Sequence, residues 1–174
     1  VLGDSKLFEK KYQRRVITVL RKHSLLSEEG MTDDDILRVH GIRTYSQTLE
    51  WKGPLVYRID EGMEIDSAPN VLGTVINAQT LEHARPVSLS GIRRIILIEN
   101  KANYESAVYQ KDILYVFCHG FFSPKELHFL KELRKIADGE VEFLHWGDMD
   151  LGGIRIFLYN QCKLFPELKP HRMD

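Results

Sequence analysis

Three stretches of the chain are apolar almost without interruption: Ile95-Ile96-Leu97-Ile98, Ile113-Leu114-Tyr115-Val116-Phe117-Cys118, and Val141 to Trp146. Runs this short, rich in β-branched and aromatic side chains, predict strands covered on both faces. Between them the apolar period changes. Asn103 to Gln110 is predicted to be helical. Ser123-Pro124-Lys125-Glu126 marks another helix start by three agreeing features: an N-cap serine, a proline in the first turn, and a glutamate three residues on. Leu127, Leu130, Leu133 and Ile136 carry that helix at regular spacing to Gly139. After the third strand come Gly147, the acidic Asp148-Met149-Asp150, and Gly152-Gly153, with a buried helix expected from Ile154. Alternation of strand and helix predicts an α/β fold, a Rossmann-like parallel sheet flanked by helices and joined by right-handed crossovers.

The pattern before residue 91 is weaker. From Lys6 to Leu25, Phe8, Tyr12, Val16, Val19, Leu20 and His23 recur at the spacing of one helical face. Lys10, Lys11, Arg14, Arg15, Arg21 and Lys22 fall on the other, either a solvated basic face or a contact with a phosphate backbone. Thr32 and Asp35 form a capping-box pattern for a short helix through Val39, closed by Gly41. A strand is expected at Leu55–Ile59, then a turn at Asp60-Glu61-Gly62 leading to Met63-Glu64-Ile65. A short helix near Ala78–His83 should end before Pro86, and the remainder of 66–89 predicts no topology. We therefore expect residues 1–90 to form a smaller helical and β extension, and residues 91–174 to form the main α/β domain.

Composition narrows the class. At 43% hydrophobic and 28% charged, the chain is too apolar for disorder, and a net charge of −1 leaves any nucleic-acid surface to be local. Cys118 and Cys162 both sit in apolar runs, which predicts buried, reduced thiols of a cytoplasmic protein. No apolar run approaches the ~20 residues of a membrane span, so no membrane is expected. There is no secretory signal, and a start at Val1 in place of Met is expected of a piece of a longer protein.

The chemistry lies at strand ends. Glu99, His119-Gly120 and Asp148/Asp150 each follow one of the three apolar strands. In a parallel sheet these ends share one edge, so Glu99 can meet the two aspartates despite their separation in sequence. An isolated Asp-x-Asp is ordinarily a solvated turn. A third carboxylate changes that, because crowded carboxylates repel unless a proton or cation intervenes. Mg²⁺ takes one or two carboxylates, keeps several waters, and can polarise a phosphate ester or ready a water. A charged edge without metal is the alternative.

Ile95–Ile98 followed by Glu99-Asn100, together with Gly147-Asp148-Met149-Asp150-Leu151-Gly152-Gly153-Ile154, resembles the two acidic motifs of a Toprim domain, the fold of topoisomerases, primases and several nucleases. The Asp-x-Asp-x-Gly-Gly-Ile pattern is most similar to the topoisomerase VI A branch. Within that branch it resembles the JetD family, nuclease subunits of SMC-like Wadjet plasmid-defence systems. Gly3-Asp4-Ser5-Lys6 before a basic helix resembles that family too. The resemblance implies that Glu99, Asp148 and Asp150 are catalytic and hold Mg²⁺ (or Mn²⁺) for DNA phosphodiester cleavage. Glu99 with Asp148 would be the stronger pair, and Asp150 an outer or second-metal ligand. Lys101, His119 and Lys125 would contact phosphate. Implied partners are double-stranded DNA and SMC-like ATPase subunits, and a homodimer is a further arrangement the resemblance allows. Relatives that link covalently to DNA use a tyrosine, but none of Tyr12, Tyr45, Tyr57, Tyr104, Tyr109, Tyr115 and Tyr159 has a context marking a nucleophile, which favours hydrolysis. Three competing readings stay open: a non-catalytic DNA-binding or docking subunit, a topoisomerase VI A-like strand-breaking fragment, and a phosphohydrolase or receiver-like protein with an Asp nucleophile.

Overall fold

The computed structural model describes residues 8–42, 48–89 and 91–173. Gly3-Asp4-Ser5-Lys6, Tyr45 and the side chain of Lys10 lie outside what it describes. A π-helical turn, Phe8–Tyr12, runs into α1 (Gln13–His23), which buries Ile17. Phe8 and Leu20 of the expected stripe pack against the core and Tyr12 and Val16 are half-buried, whereas Val19, 57% exposed, and His23 turn to solvent. Arg21 crosses to the Met31 carbonyl (2.8 Å) and to Asp33 (2.7 Å), tying α1 to α2 (Asp33–Val39). The Thr32/Asp35 capping box forms as expected and starts α2, whose Ile36, Leu37 and Val39 enter the core.

Strand β1 (Thr48–Lys52) comes next, followed by β2 (Val56–Ile59), β3 (Glu64–Asp66), β4 (Thr74–Asn77), α3 (Ala78–His83) and β5 (Ala84–Ser88). Strands β3, β2 and β5 make a small antiparallel sheet in that order. Helix α3 has the expected bounds and ends at His83, and Pro86 stands inside the strand that follows. It is tolerated because β5 is an edge of that sheet, where a missing N–H breaks no ladder.

The remaining elements are β6 (Arg94–Ile98), α4 (Lys101–Ser106), β7 (Ile113–Phe117), α5 (Pro124–Ile136), β8 (Glu142–Trp146), α6 (Leu151–Lys163) and β9 (Lys169–Pro170). The main sheet has six strands in the order β4-β1-β7-β6-β8-β9. Pairings among β7, β6, β8 and β9 are parallel, while β1 and β4, both from before residue 91, are added antiparallel. The fold is thus α/β with a mixed, mostly parallel sheet. Helix α4 begins earlier than the expected Asn103 because the Asn100 side chain accepts from the Ala102 and Asn103 N–H groups. It also ends earlier. Buried Lys52 on β1 donates to the carbonyls of Tyr104, Glu105 and Ala107 and closes the helix.

One sheet face carries Ile95, Leu97, Leu114, Val116 and Phe143 against Phe129, Leu130 and Leu133 of α5 and Ile156 and Tyr159 of α6. The other face carries Ile96, Ile98, Ile113, Tyr115 and Leu144, and the helical side chain packed there is Tyr104 of α4. Cys118 is buried, but Cys162 is exposed and not buried as expected; both thiols are free. Among the described residues no helix is long and apolar enough to cross a membrane.

Candidate active site

The carboxyl ends of β7, β6 and β8 lie level. The Glu99 N–H donates to the Trp146 carbonyl (2.9 Å) and the Cys118 N–H to the Ile98 carbonyl (2.8 Å), so Cys118, Glu99 and Gly147 are neighbours on one rim. Strand alternation puts Glu99 on the same side as Leu97, which is the side covered by α5 and α6. Its carboxylate reaches across to β8. A Cβ added at Gly147 would stand 2.6 Å from Glu99 Oε2 and 2.7 Å from His145 Nε2. Glycine at 147 is what lets Glu99 lie directly beneath the turn that leads to Asp148.

That turn is built by the start of α6. Asp150 is the N-cap, its Oδ1 accepting from the Gly153 N–H at 2.8 Å. Gly152 and Gly153 lie within the first turn of the helix and do not precede it as the sequence suggested. Gly153 is required there, since a Cβ on it would meet the Asp148 carbonyl oxygen at 2.1 Å. Asp148 itself is exposed, and its carboxylate has no hydrogen bond or ion pair among the described residues. The N-terminal end of a helix favours negative charge at both aspartates.

Beneath the rim lies a layer of polar side chains that sequence reasoning did not assign. His145 is fully buried within β8, neither ring nitrogen has a hydrogen-bond partner, and Nε2 is 3.9 Å from Glu99 Oε2. Glu99 Oε2 is likewise buried without a partner. Leaving such atoms unpaired costs about 1–3 kcal/mol each, more for a charged group. Beside them the Asn160 amide of α6 donates to Cys118 Sγ (3.2 Å), and burial pushes that thiol up to about 12. The available signal for His145 was a titratable residue set between the apolar Leu144 and Trp146. For Asn160 there was none.

The three residues expected at phosphate are each engaged by a carboxylate. Lys101 pairs with Glu50 (2.5 Å) and lies over the Phe117 ring, and Lys125 pairs with Glu82. His119 bonds Glu126 at 2.7 Å. Glu126 is fully buried, and its other oxygen accepts from the Ser123 N–H in the α5 capping box. Burial raises the Glu126 carboxyl, but these bonds outweigh it and hold it below the ordinary carboxylate range.

Among the described residues no three acidic, histidine or cysteine side chains close into a metal cage. The donor set instead suits a hard ion that keeps much of its water. Glu99 offers an unsatisfied oxygen, Asp148 an unengaged carboxylate on the adjoining turn, and Asp150 is partly committed to its cap.

The fold and rim define a class: an α/β protein that gathers acidic side chains at the carboxyl ends of parallel strands, where such sheets bind ligands. The family model for the C-terminal part of Wadjet protein JetD matches residues 59–174. A Wadjet protein JetD from Bacillus cereus (strain Q1) is 30% identical over 180 residues, which cover 100% of this chain and 42% of that protein. This chain belongs to the JetD C-terminal family, and it spans about two fifths of the length of that curated relative.

Proposed function

We propose that this chain is the metal-dependent DNA-cleaving part of a JetD-type subunit, with a Toprim-like site of the topoisomerase VI A kind, working on double-stranded DNA beside SMC-like ATPase partners in a Wadjet defence assembly. The observation that carries the reading is the buried, unpaired Glu99 Oε2 beneath the Gly147 turn into Asp148. Glu99 and Asp148 would hold Mg²⁺ or Mn²⁺, with Asp150 orienting the turn and available as an outer ligand. The ion would polarise the phosphate and ready a water. The protein's own part is to fix the two carboxylates on rigid strand ends, and to set them against a helix N-terminus that stabilises their charge. Hydrolysis is favoured over a tyrosyl-DNA link. Tyr159, below the rim, is buried with its hydroxyl pushed up to about 12, and Tyr57, Tyr104 and Tyr115 are buried too.

Plasmid cleavage at graded Mg²⁺ and Mn²⁺ tests the reading. Cleavage should vanish with chelator and fall by roughly 100-fold or more in Asp148→Ala and in Glu99→Ala, as expected when a preorganised charge stabiliser is lost. Efficient cleavage by both variants defeats the proposal. A second reading, a DNA-binding subunit without catalysis, draws on the exposed basic face of α1 and the turn before it, where Lys11, Arg14, Arg15 and Lys22 face solvent. Salt-sensitive DNA binding with no cleavage at any metal concentration would select it.

A further inference from the structure

The two faces of the main sheet are covered unequally. Helices α5 and α6 close one, whereas α4, six residues long, closes only part of the other. Beside α4 that face opens into a cavity of about 370 Å³, lined by Arg94, Gln110, Tyr115, Trp146, His171 and Arg172 among others. Two guanidiniums and an imidazole thus border one concavity floored by aromatic rings. The Arg172 guanidinium lies 5.0 Å from the centre of the Trp146 ring. Among the described residues Arg94 pairs with Asp112, at a long 3.7 Å and with both side chains about 40% exposed (39% and 42%). Glu142, also nearby, is shared with Lys169 at 3.5 Å. After burial, Arg172 and Arg94 are the groups that lower the His171 imidazole. Both guanidiniums also act on the Tyr115 hydroxyl, whose burial raises it. Like charges gathered in one concavity are stabilised by an anion between them. Paired guanidinium forks suit phosphate, and the half-buried Trp146 ring suits an unstacked base.

We infer that this groove is a nucleic-acid strand site: Arg94 and Arg172 take phosphodiester oxygens, while a splayed base rests against Trp146 and the 75%-exposed Val108. Its place in the fold supports a strand over a free nucleotide. Trp146 ends β8 one residue before Gly147, so the groove runs along the sheet from Arg94 up to the acidic rim, on the opposite face from Glu99. A strand whose phosphate sits at the rim has this groove as its continuation. The choice of DNA as occupant rests on the proposed function; the groove's affinity for a phosphate polymer does not depend on cleavage.

The test is binding of a labelled single-stranded oligonucleotide to the whole chain in chelator, followed by anisotropy over a salt series. Arg94→Gln with Arg172→Gln should weaken binding roughly tenfold or more. The same pair should flatten the log–log salt slope by about 1.4, the value for two single-strand phosphates. Thermal midpoints of variant and parent should agree. The chain has two tryptophans, and Trp51 is 1% exposed. Oligonucleotide should therefore quench the fluorescence of the parent and leave that of Trp146→Phe unchanged. Unchanged affinity and slope in the double variant overturn the inference, as does quenching by a mononucleotide or inorganic phosphate at matched phosphate concentration. If the groove variant binds normally while Asp148→Ala abolishes cleavage, the groove fails and the nuclease reading stands. If the groove binds and no cleavage occurs at any Mg²⁺ or Mn²⁺ concentration, the groove stands and the nuclease reading fails.

Discussion

Two histidine–glutamate pairs stand on the same rim, and they are built in opposite ways. His119 and Glu126 meet at 2.7 Å, and the second Glu126 oxygen accepts from the Ser123 N–H, so the buried carboxylate is satisfied on both sides. His145 and Glu99 stay at 3.9 Å, with both imidazole nitrogens and Glu99 Oε2 buried and unpaired. The first pair is complete without any ligand and locks the β7–α5 connection. The second is left incomplete, and its free carboxylate oxygen lies where the proposed ion would need one. Satisfied buried polar groups stabilise a fold; unsatisfied ones are kept where a site needs them.

The largest effect on stability should come from the complete pair. Glu126→Ala strands the His119 imidazole and the Ser123 N–H, and breaking a buried pair costs about 3–5 kcal/mol. Thermal or urea melts at pH 7 should show it. The pH dependence has a definite sign. Because the folded Glu126 carboxyl titrates below its ordinary value, its stabilisation is fully present above about pH 4.3. It is lost as pH falls through the lowered folded value. The gap between parent and Glu126→Gln should therefore narrow on acidification below that point. A gap that widens in acid would reverse the assignment.

The incomplete pair should respond the other way. His145→Phe removes no hydrogen bond and places an apolar ring beside Phe157, whose ring centre lies 5.6 Å from that of His145. Stability should hold or rise, since no bond is lost and an unpaired buried group is removed. Mn²⁺ affinity measured by calorimetry should fall by roughly tenfold, the lower end of losses from outer-shell partners. His119→Phe should destabilise the fold and leave Mn²⁺ affinity alone. If both substitutions act alike on affinity, the contrast between the pairs is wrong.

What the sequence made readable follows from the same physics. Strands β6 and β7 are buried on both faces, so they stand out as apolar runs, β8 shows the same pattern around Glu142 and His145, and the Thr32 and Ser123 caps are local hydrogen-bond patterns. Strand β1 was hidden because two of its residues are polar for tertiary reasons: Glu50 answers Lys101, and Lys52 caps α4 from a distant part of the chain. Strand β5 was hidden by Pro86, and β9 is two residues long. At the rim, the three carboxylates were visible as strand-end residues. His145, Cys118 and Asn160 were not assigned, because their environment exists only once α6 has folded over the sheet.

The smallest expected effect separates the two duties of Asp150. As N-cap of α6 it accepts from the Gly153 N–H at 2.8 Å, and asparagine caps about as well as aspartate. Asp150→Asn should leave stability within a few tenths of a kcal/mol, while Asp150→Ala should cost about 1 kcal/mol through loss of the cap. If the residue only caps, DNA cleavage will follow stability, intact in Asp150→Asn and lowered in Asp150→Ala. If its charge also serves the ion, Asp150→Asn will lose cleavage while melting as the parent does. The asparagine variant is decisive because it keeps the turn against Asp148 in place and changes one negative charge, so that a difference from the Asp148→Ala result measures the second carboxylate and not the loop that holds it.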